Sequence, residues 1–211
     1  MSKAASNPGP KHVNALKHCV RYIAGTRHYS KVFNGNSPDK DRLVGYVDSD
    51  WAGDKSTRRS TTGYALFFNG GAISAKSQIQ KLVAMSSMEA ELIALCAAAL
   101  AAVFIRNILK GFRKPQESTV IYEDNNAAAV VAQSAVIQRR ARHIDLRYFK
   151  VRELVASKQV RIERVNSADN CADVFTKNVG PLILYKHLPM LLGSDQRVLL
   201  RKKRNADLYP S

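Results

Sequence analysis

Near Ser86 the hydrophobic periodicity of the chain switches from strand-like to helical after three strand-like runs, and that switch constrains the fold more than any other feature. Between Leu43 and Ser77 three short runs rich in apolar, aromatic and β-branched residues are separated by turn chemistry. Leu43 to Val47 reads as a largely buried strand that ends at Asp48-Ser49-Asp50-Trp51. Thr61 to Asn69 (TTGYALFFN) reads as a second strand, Gly70-Gly71 as a hairpin turn, and Ala72 to Ser77 as a third strand. From residue 86 to residue 110 the pattern becomes helical: Ser86 or Ser87 can cap the start, Glu89 and Glu91 suit the positive end of the dipole, and Lys110-Gly111 closes it. A fourth strand, Thr119 to Tyr122, runs into Glu123-Asp124. Two helices (Asn126 to Gln133 and Ile144 to Ala156), a fifth strand (Val160 to Val165) and a last helix (Cys171 to Lys177) complete the order β-β-β-α-β-α-α-β-α. That order predicts an α/β layer architecture, a five-stranded mixed sheet flanked by helices.

The flanks read differently. Asn7-Pro8-Gly9-Pro10 cannot continue a helix, whereas Val13, Leu16, Val20 and Ile23 recur at helical spacing from Lys11 to Ile23. The turn-forming stretch Asn34 to Asp41 sets the start of the main domain, so residues 1–40 form an N-terminal extension, 41–180 the main domain and 181–211 a basic C-terminal tail. The chain carries 33 Lys and Arg against 17 Asp and Glu, a net charge of +16 in 211 residues. A charge of that sign and size points to a polyanionic partner, nucleic acid before an anionic membrane, because lipidation signals and a Lys/Arg-rich amphipathic membrane helix are both missing from the pattern. No window approaches 18 apolar residues free of charge, so no membrane-crossing helix is expected. Met-Ser-Lys-Ala-Ala-Ser has no apolar segment behind it, so no secretory signal is expected either. Cys19, Cys96 and Cys171 are too far apart for a zinc knuckle and odd in number, which suits a reducing compartment.

Against this basic background, isolated acids in apolar surroundings stand out. Asp48 follows a buried strand, Glu91 sits on an apolar helix face, Asp124 ends a central strand and Asp173 lies in the last helix. Carboxylates brought together from different elements can hold two Mg²⁺ ions, hard cations that prefer oxygen ligands and can clamp both oxygens of a phosphoryl displacement. Spacing by itself leaves each acid an ordinary alternative: Asp48 as a turn former, Glu91 as a dipole partner, Asp124 as a helix cap and Asp173 as a surface charge.

Several motifs narrow the choice. Gly45-Tyr46-Val47-Asp48-Ser49-Asp50-Trp51-Ala52-Gly53-Asp54, followed by Arg58-Arg59-Ser60-Thr61-Thr62-Gly63-Tyr64, resembles the opening of the ribonuclease H (RNase H) domain in copia-type LTR retrotransposon polyproteins. Val83 to Glu91, Tyr122-Glu123-Asp124-Asn125, Arg142-His143-Ile144-Asp145 with Arg147 through Glu153, and Ala172 to Lys177 agree with that family in the same order. His12 through Thr26 resembles the segment that joins the reverse transcriptase to this domain. The match covers about residues 11–193. Ala75, Ala101 and Phe104 depart from it, standing where the family usually has Trp, Glu and Trp.

The resemblance implies an RNase H-like fold and an enzyme: a two-metal ribonuclease H cutting the RNA strand of RNA–DNA hybrids. It implies Mg²⁺ as the metal, two ions with Mn²⁺ as a substitute, and no small-molecule cofactor. The four catalytic, metal-holding acids it implies are Asp48, Glu91, Asp124 and Asp173, with Asp50 second to Asp48 and Glu91 preferred over Glu89, which points about 200° away on the helix. Ser49, Asn125 and Asn126 are expected to read ribose 2′-hydroxyls. Arg58 and Arg59 are expected to contact phosphates, as is the cluster Arg139, Arg140, Arg142, Arg147 and Lys150. His143 is the family's nearest candidate for helping product leave, and reads equally well as a histidine at a helix N-terminus. The implied partners are an RNA–DNA hybrid and the reverse transcriptase of the same polyprotein, and no membrane. The implied location is the cytoplasm, in a virus-like particle for an active element, or the nucleus. Three other readings compete: a polymerase, which needs a second aspartate where Ser49 stands; an integrase, whose zinc module is missing from the pattern; and a domesticated domain that binds nucleic acid without cutting.

Overall fold

The computed structural model describes residues 5–35, 39–133 and 145–193. Two units are distinguished, one containing the first helix and one spanning Val32–Ser194. In the first unit α1 (Pro10–Thr26) begins with Pro at its first turn, where a missing N–H costs nothing, and the Gly9 N–H donates to His12 Nδ1 at 3.0 Å. Its apolar stripe, Val13, Leu16, Val20 and Ile23, is exposed.

The second unit is built on a sheet of β1 (Leu43–Asp50), β2 (Thr61–Phe68), β3 (Gly71–Ile79), β4 (Thr119–Glu123) and β5 (Val160–Arg164). Its strand order is β3-β2-β1-β4-β5. β1 pairs antiparallel with β2 and parallel with β4, and β4 pairs parallel with β5, so the sheet is mixed as expected. The β2–β3 hairpin turns at Asn69-Gly70, one residue before the expected Gly70-Gly71. Both residues have positive φ (50° and 82°), the condition of a type I′ turn, and Asn tolerates it almost as well as Gly.

Side chains of β1 alternate between two cores. Leu43 and Val47 join a cluster under α2 (Ser87–Gly111), which also takes residues from α3 (Asn126–Gln133) and α4 (Asp145–Ala156). Val44 faces the other side with Phe67, Ala72 and Cys171. Gly45 lies on the α2 side, where a Cβ would come within 2.8 Å of Leu66, so the close packing of strands under the helix depends on its absence. α2 is long and apolar enough to cross a membrane, contrary to the expectation that no such helix exists. Its Ala90, Leu92, Ala94, Leu95, Ala98, Ala99 and Ala102 are buried against the sheet and its neighbours, as in the central helix of a globular core.

The last helices form α5 (Asp173–Thr176) and α6 (Pro181–Leu192). α6 corrects the expected boundary: residues 181–192 belong to the compact unit and pack on β3 rather than opening the basic tail. Pro189 inside it disguises the helix in the sequence. Pro181 at the first turn and Gly193 in the left-handed conformation (φ 69°) after the last are the marks that define it.

Candidate metal-binding nuclease site

Five acids converge where the parallel strands β1 and β4 end. Asp48, Asp124 and Asp173 bring carboxylate oxygens within 4.8 Å of one another, and Glu91, Glu123 and Asp124 do the same. Asp124 belongs to both groups. Alternation along the strands explains the two-sided arrangement: on β1 Val47 faces α2 and Asp48 faces α5, while on β4 Ile121 and Glu123 face α2. Asp124, just beyond the strand, sits between the two sides.

Each competing acid has other work. Glu89 is the third residue of α2 and accepts the Met85 N–H at 2.7 Å, while its own N–H donates to Ser86 Oγ at 3.2 Å. That fixes Glu89 at the helix start and leaves Glu91, half a turn on, directed inward. Asp50 is turned over Gly53, where a Cβ would meet its carboxylate, and joins neither group of acids.

The α5 side is held in place by three contacts. Asn170, fully buried, donates from Nδ2 to the Val47 carbonyl at 2.8 Å, just past the point where β1 stops pairing with β4. Thr176 Oγ1 donates to Asp48 Oδ2. Lys177 Nζ bridges Asp173 Oδ1 at 2.8 Å and Asp48 Oδ1 at 3.2 Å. Gly63 on β2, paired with Asp48, makes the approach possible: a Cβ there would lie 2.5 Å from Thr176 Cγ2 and 3.0 Å from Phe175 Cβ.

Electrostatics differ across the site. Burial pushes Asp48 upward, with Thr176 and Lys177 pulling back. Burial opposes the charge on Lys177, but its bonds to Asp173 and Asp48 prevail and raise it above its ordinary range. Glu91 is pushed up to about 10, first by burial and then by the charges of Glu123, Asp48 and Asp124. Burial raises Glu123 well above the carboxylate range, a rise eased by the Asn125 N–H. Glu91 Oε2 and Glu123 Oε2 are buried without a hydrogen-bond donor. An all-oxygen set with two buried oxygens lacking donors fits a hard divalent cation.

The remaining expected residues fall into three groups. Ser49 is buried beside Glu91 rather than displayed to a ribose, and Asn125 caps α3 by accepting the Ala128 N–H at 3.1 Å. Asn126, Arg58 and Arg59 are exposed, and Arg147 is half-buried on α4, within electrostatic reach of Cys96. Arg139, Arg140, Arg142 and His143 lie outside the described residues. Sequence reasoning missed Glu123, Asn170, Thr176 and Lys177, although the i,i+4 spacing of Asp173 and Lys177 on a helix is a readable signal. It also missed His187 on α6, which is buried and within electrostatic reach of Asp173.

No family model matches the sequence. The retrovirus-related Pol polyprotein from transposon TNT 1-94 of Nicotiana tabacum is 36% identical over 179 residues, 85% of this chain and 13% of that protein. The polyprotein from transposon RE1 of Arabidopsis thaliana is 35% identical over 84% of this chain and 12% of its own length. Over these residues the chain is homologous to the Pol polyproteins of copia-type retrotransposons. It spans only about an eighth of the length of these Pol relatives. A shorter relative, secreted RxLR effector protein 161 of Plasmopara viticola, is 46% identical over 105 residues, 50% of this chain and 72% of that protein. Among solved structures, RNase H1 from the archaeon Halobacterium salinarum NRC-1 superposes with TM-score 0.50 at 20% identity, over 64% of this chain and 94% of that one. LC11-RNase H1, solved in complex with RNA/DNA hybrid, gives TM-score 0.50 at 13% identity over 64% and 94%. The fold is that of RNase H.

Proposed function

We propose that the chain is a divalent-metal-dependent ribonuclease H that hydrolyses the RNA strand of RNA–DNA hybrids, the activity a copying retrotransposon needs to remove its RNA template. The observation that carries this reading is the meeting of carboxylates from β1, α2, β4 and α5 at one edge of an RNase H fold. Fold alone does not imply activity, so the reading rests on the site.

Asp48, Glu91, Asp124 and Asp173 would hold the metal, with Mg²⁺ the expected ion and Mn²⁺ its substitute. Bound there, divalent ions supply Lewis acidity that activates a water and neutralises a leaving oxygen at phosphorus. The chain's own contribution is preorganisation. Asn170 fixes the α5 loop to β1, and Thr176 and Lys177 orient Asp48 and Asp173 before any substrate arrives. The excess of Lys and Arg, with Arg58 and Arg59 exposed in the loop after β1, suits phosphate contacts that hold a hybrid over the acids. Asn126 remains the exposed candidate for reading ribose hydroxyls. The reverse transcriptase of a longer polyprotein is the expected partner in the same chain.

The test is cleavage of an end-labelled RNA–DNA hybrid by the purified chain with Mg²⁺, with EDTA, and with Asp124→Asn. Metal-dependent cutting of the RNA strand that the variant loses is expected. Hybrid binding without cleavage would leave a nucleic-acid-binding domain in its place.

A further inference from the structure

The reading above uses four acids, one from each element, but Glu123 stands with them. Glu123 is the last residue of β4 and is fully buried. Its Oε1 accepts the Asn125 N–H at 3.0 Å, while its Oε2 is out of reach of solvent and of any donor among the described residues. Leaving a buried acceptor unsatisfied is costly, and more so for a group able to carry charge. Glu91 faces the same difficulty: it is buried, and its Oε2 lacks a donor. The carboxylates of Glu91, Glu123 and Asp124 share one small volume, their oxygens within 4.8 Å. Among the described residues no Lys or Arg pairs with Glu91 or Glu123.

We propose that Glu123 is a fifth metal ligand, forming with Glu91 and Asp124 a cation site on the α2 side of the sheet. The inference rests on the metal-dependent reading of the acid cluster. One divalent cation placed among these carboxylates would give the orphaned oxygens a partner and supply a positive charge that no Lys or Arg among the described residues brings to Glu91 or Glu123. Among the described residues the donors are all carboxylate oxygens, with no imidazole or thiolate, so the site suits a hard ion such as Mg²⁺ or Mn²⁺ rather than zinc. Strand alternation makes the arrangement specific. Glu123 follows Ile121 to the α2 side, so an acid in the last position of β4 enters this volume, whereas one at Tyr122 would face the opposite side.

The rival account is a proton shared between Glu91 and Glu123 with no ion. Glu123→Gln separates the two, since the amide keeps the shape and an oxygen for the Asn125 N–H but removes a ligand oxygen. Mn²⁺ is titrated into the metal-free full chain by calorimetry, with circular dichroism verifying the fold and Asp124→Asn as reference. Glu123→Gln should weaken Mn²⁺ binding at least about tenfold, the lower end of what even outer contacts to a metal contribute, and shrink the rise in Tm that Mn²⁺ produces. Glu123→Asp, which keeps the charge but withdraws it, should also weaken binding and gives a second measure if the glutamine variant does not fold. Wild-type Mn²⁺ affinity in these variants, with Asp124→Asn impaired, would overturn the fifth ligand and leave the nuclease reading standing. Binding that Asp124→Asn leaves intact would overturn both.

Discussion

On the α5 side of the sheet Asp48 and Asp173 share the ammonium of Lys177 and Asp48 also accepts from the Thr176 hydroxyl, whereas on the α2 side Glu91 and Glu123 have no Lys or Arg partner among the described residues and two oxygens without a donor there. Asp124 joins the two. One side is partly neutralised by the chain's own ammonium. The other stays costly until protons or a metal ion arrive, so its stability follows solution conditions while that of the first follows the sequence. Sites that bind charge commonly retain this kind of stored cost.

Asp124→Asn should have the largest effect, because it disables both sides. Hybrid cleavage is expected to fall by at least about 10²–10³-fold, the scale seen when a preorganised charge-stabilising group is lost. Circular dichroism should not change. Cleavage at the wild-type rate would remove Asp124 from the junction and dissolve the two-sided picture.

Gly63→Ala attacks only the α5 side. The added methyl would meet Thr176 and Phe175, so α5 must retreat from β1. Overpacking of this kind costs about 1–3 kcal/mol, a Tm lower by about 2–12 °C, and cleavage should fall because Thr176 and Lys177 lose their hold on Asp48. A variant with normal Tm and rate would show that the close approach of β2 and α5 is unnecessary.

Charge changes should act with opposite sign on the two sides. Glu91 has an ordinary value of 4.5 and is raised to about 10 in the folded chain. A carboxyl raised on folding favours the folded state fully below its unfolded value, and that contribution declines as pH climbs toward the folded value, since the unfolded chain then releases the proton more readily. In EDTA the wild-type Tm should therefore fall between about pH 5 and 9. Glu91→Gln should flatten that slope and stabilise the metal-free protein by about 1–3 kcal/mol at pH 8, even as it removes cleavage. Lys177→Met should do the reverse and destabilise the metal-free chain by about 1–2 kcal/mol, a modest figure because the Lys177 side chain is 42% exposed. Added Mn²⁺ should recover much of that loss. Shifts of the same sign in both variants would erase the distinction between the sides.

How much of this was legible in the sequence follows the same division between local and tertiary causes. The strand and helix order could be read because each element carries its own periodicity, and the span of α3, Asn126–Gln133, matches the expected one. Asp48 and Asp124 were legible as acids that end apolar strands, and Glu91 as an acid on an apolar face. Glu123 was passed over because it looks like one more strand-end charge; only the packing of α2 shows that it is sealed from solvent. α6 was hidden by Pro189, whose usual meaning as a breaker was overridden by packing on β3. Ser49 was misplaced for a related reason: residue 49 follows Val47 to the α2 side and is covered by the helix.

The smallest expected effect concerns the loop after β1, which carries the exposed Arg58 and Arg59. Asp54 organises that loop by accepting from Ser56 and Thr57 side chains, and Arg58 sits in the left-handed region (φ 55°), with its N–H donating to the Asp54 carbonyl at 2.6 Å. A non-glycine residue held there costs about 1–2 kcal/mol, so the turn accepts strain to present two exposed guanidiniums. If both touch phosphate, Arg58→Ala with Arg59→Ala should reduce the slope of log affinity against log salt by up to about 2, near one unit per contact, while cleavage at saturating hybrid changes little. Arg58→Gly separates backbone from charge: it should raise Tm by relieving the positive φ and lower the salt slope by about 1 at most. A slope unchanged in both variants would return the loop to a solvated surface and move the phosphate contacts elsewhere on the chain.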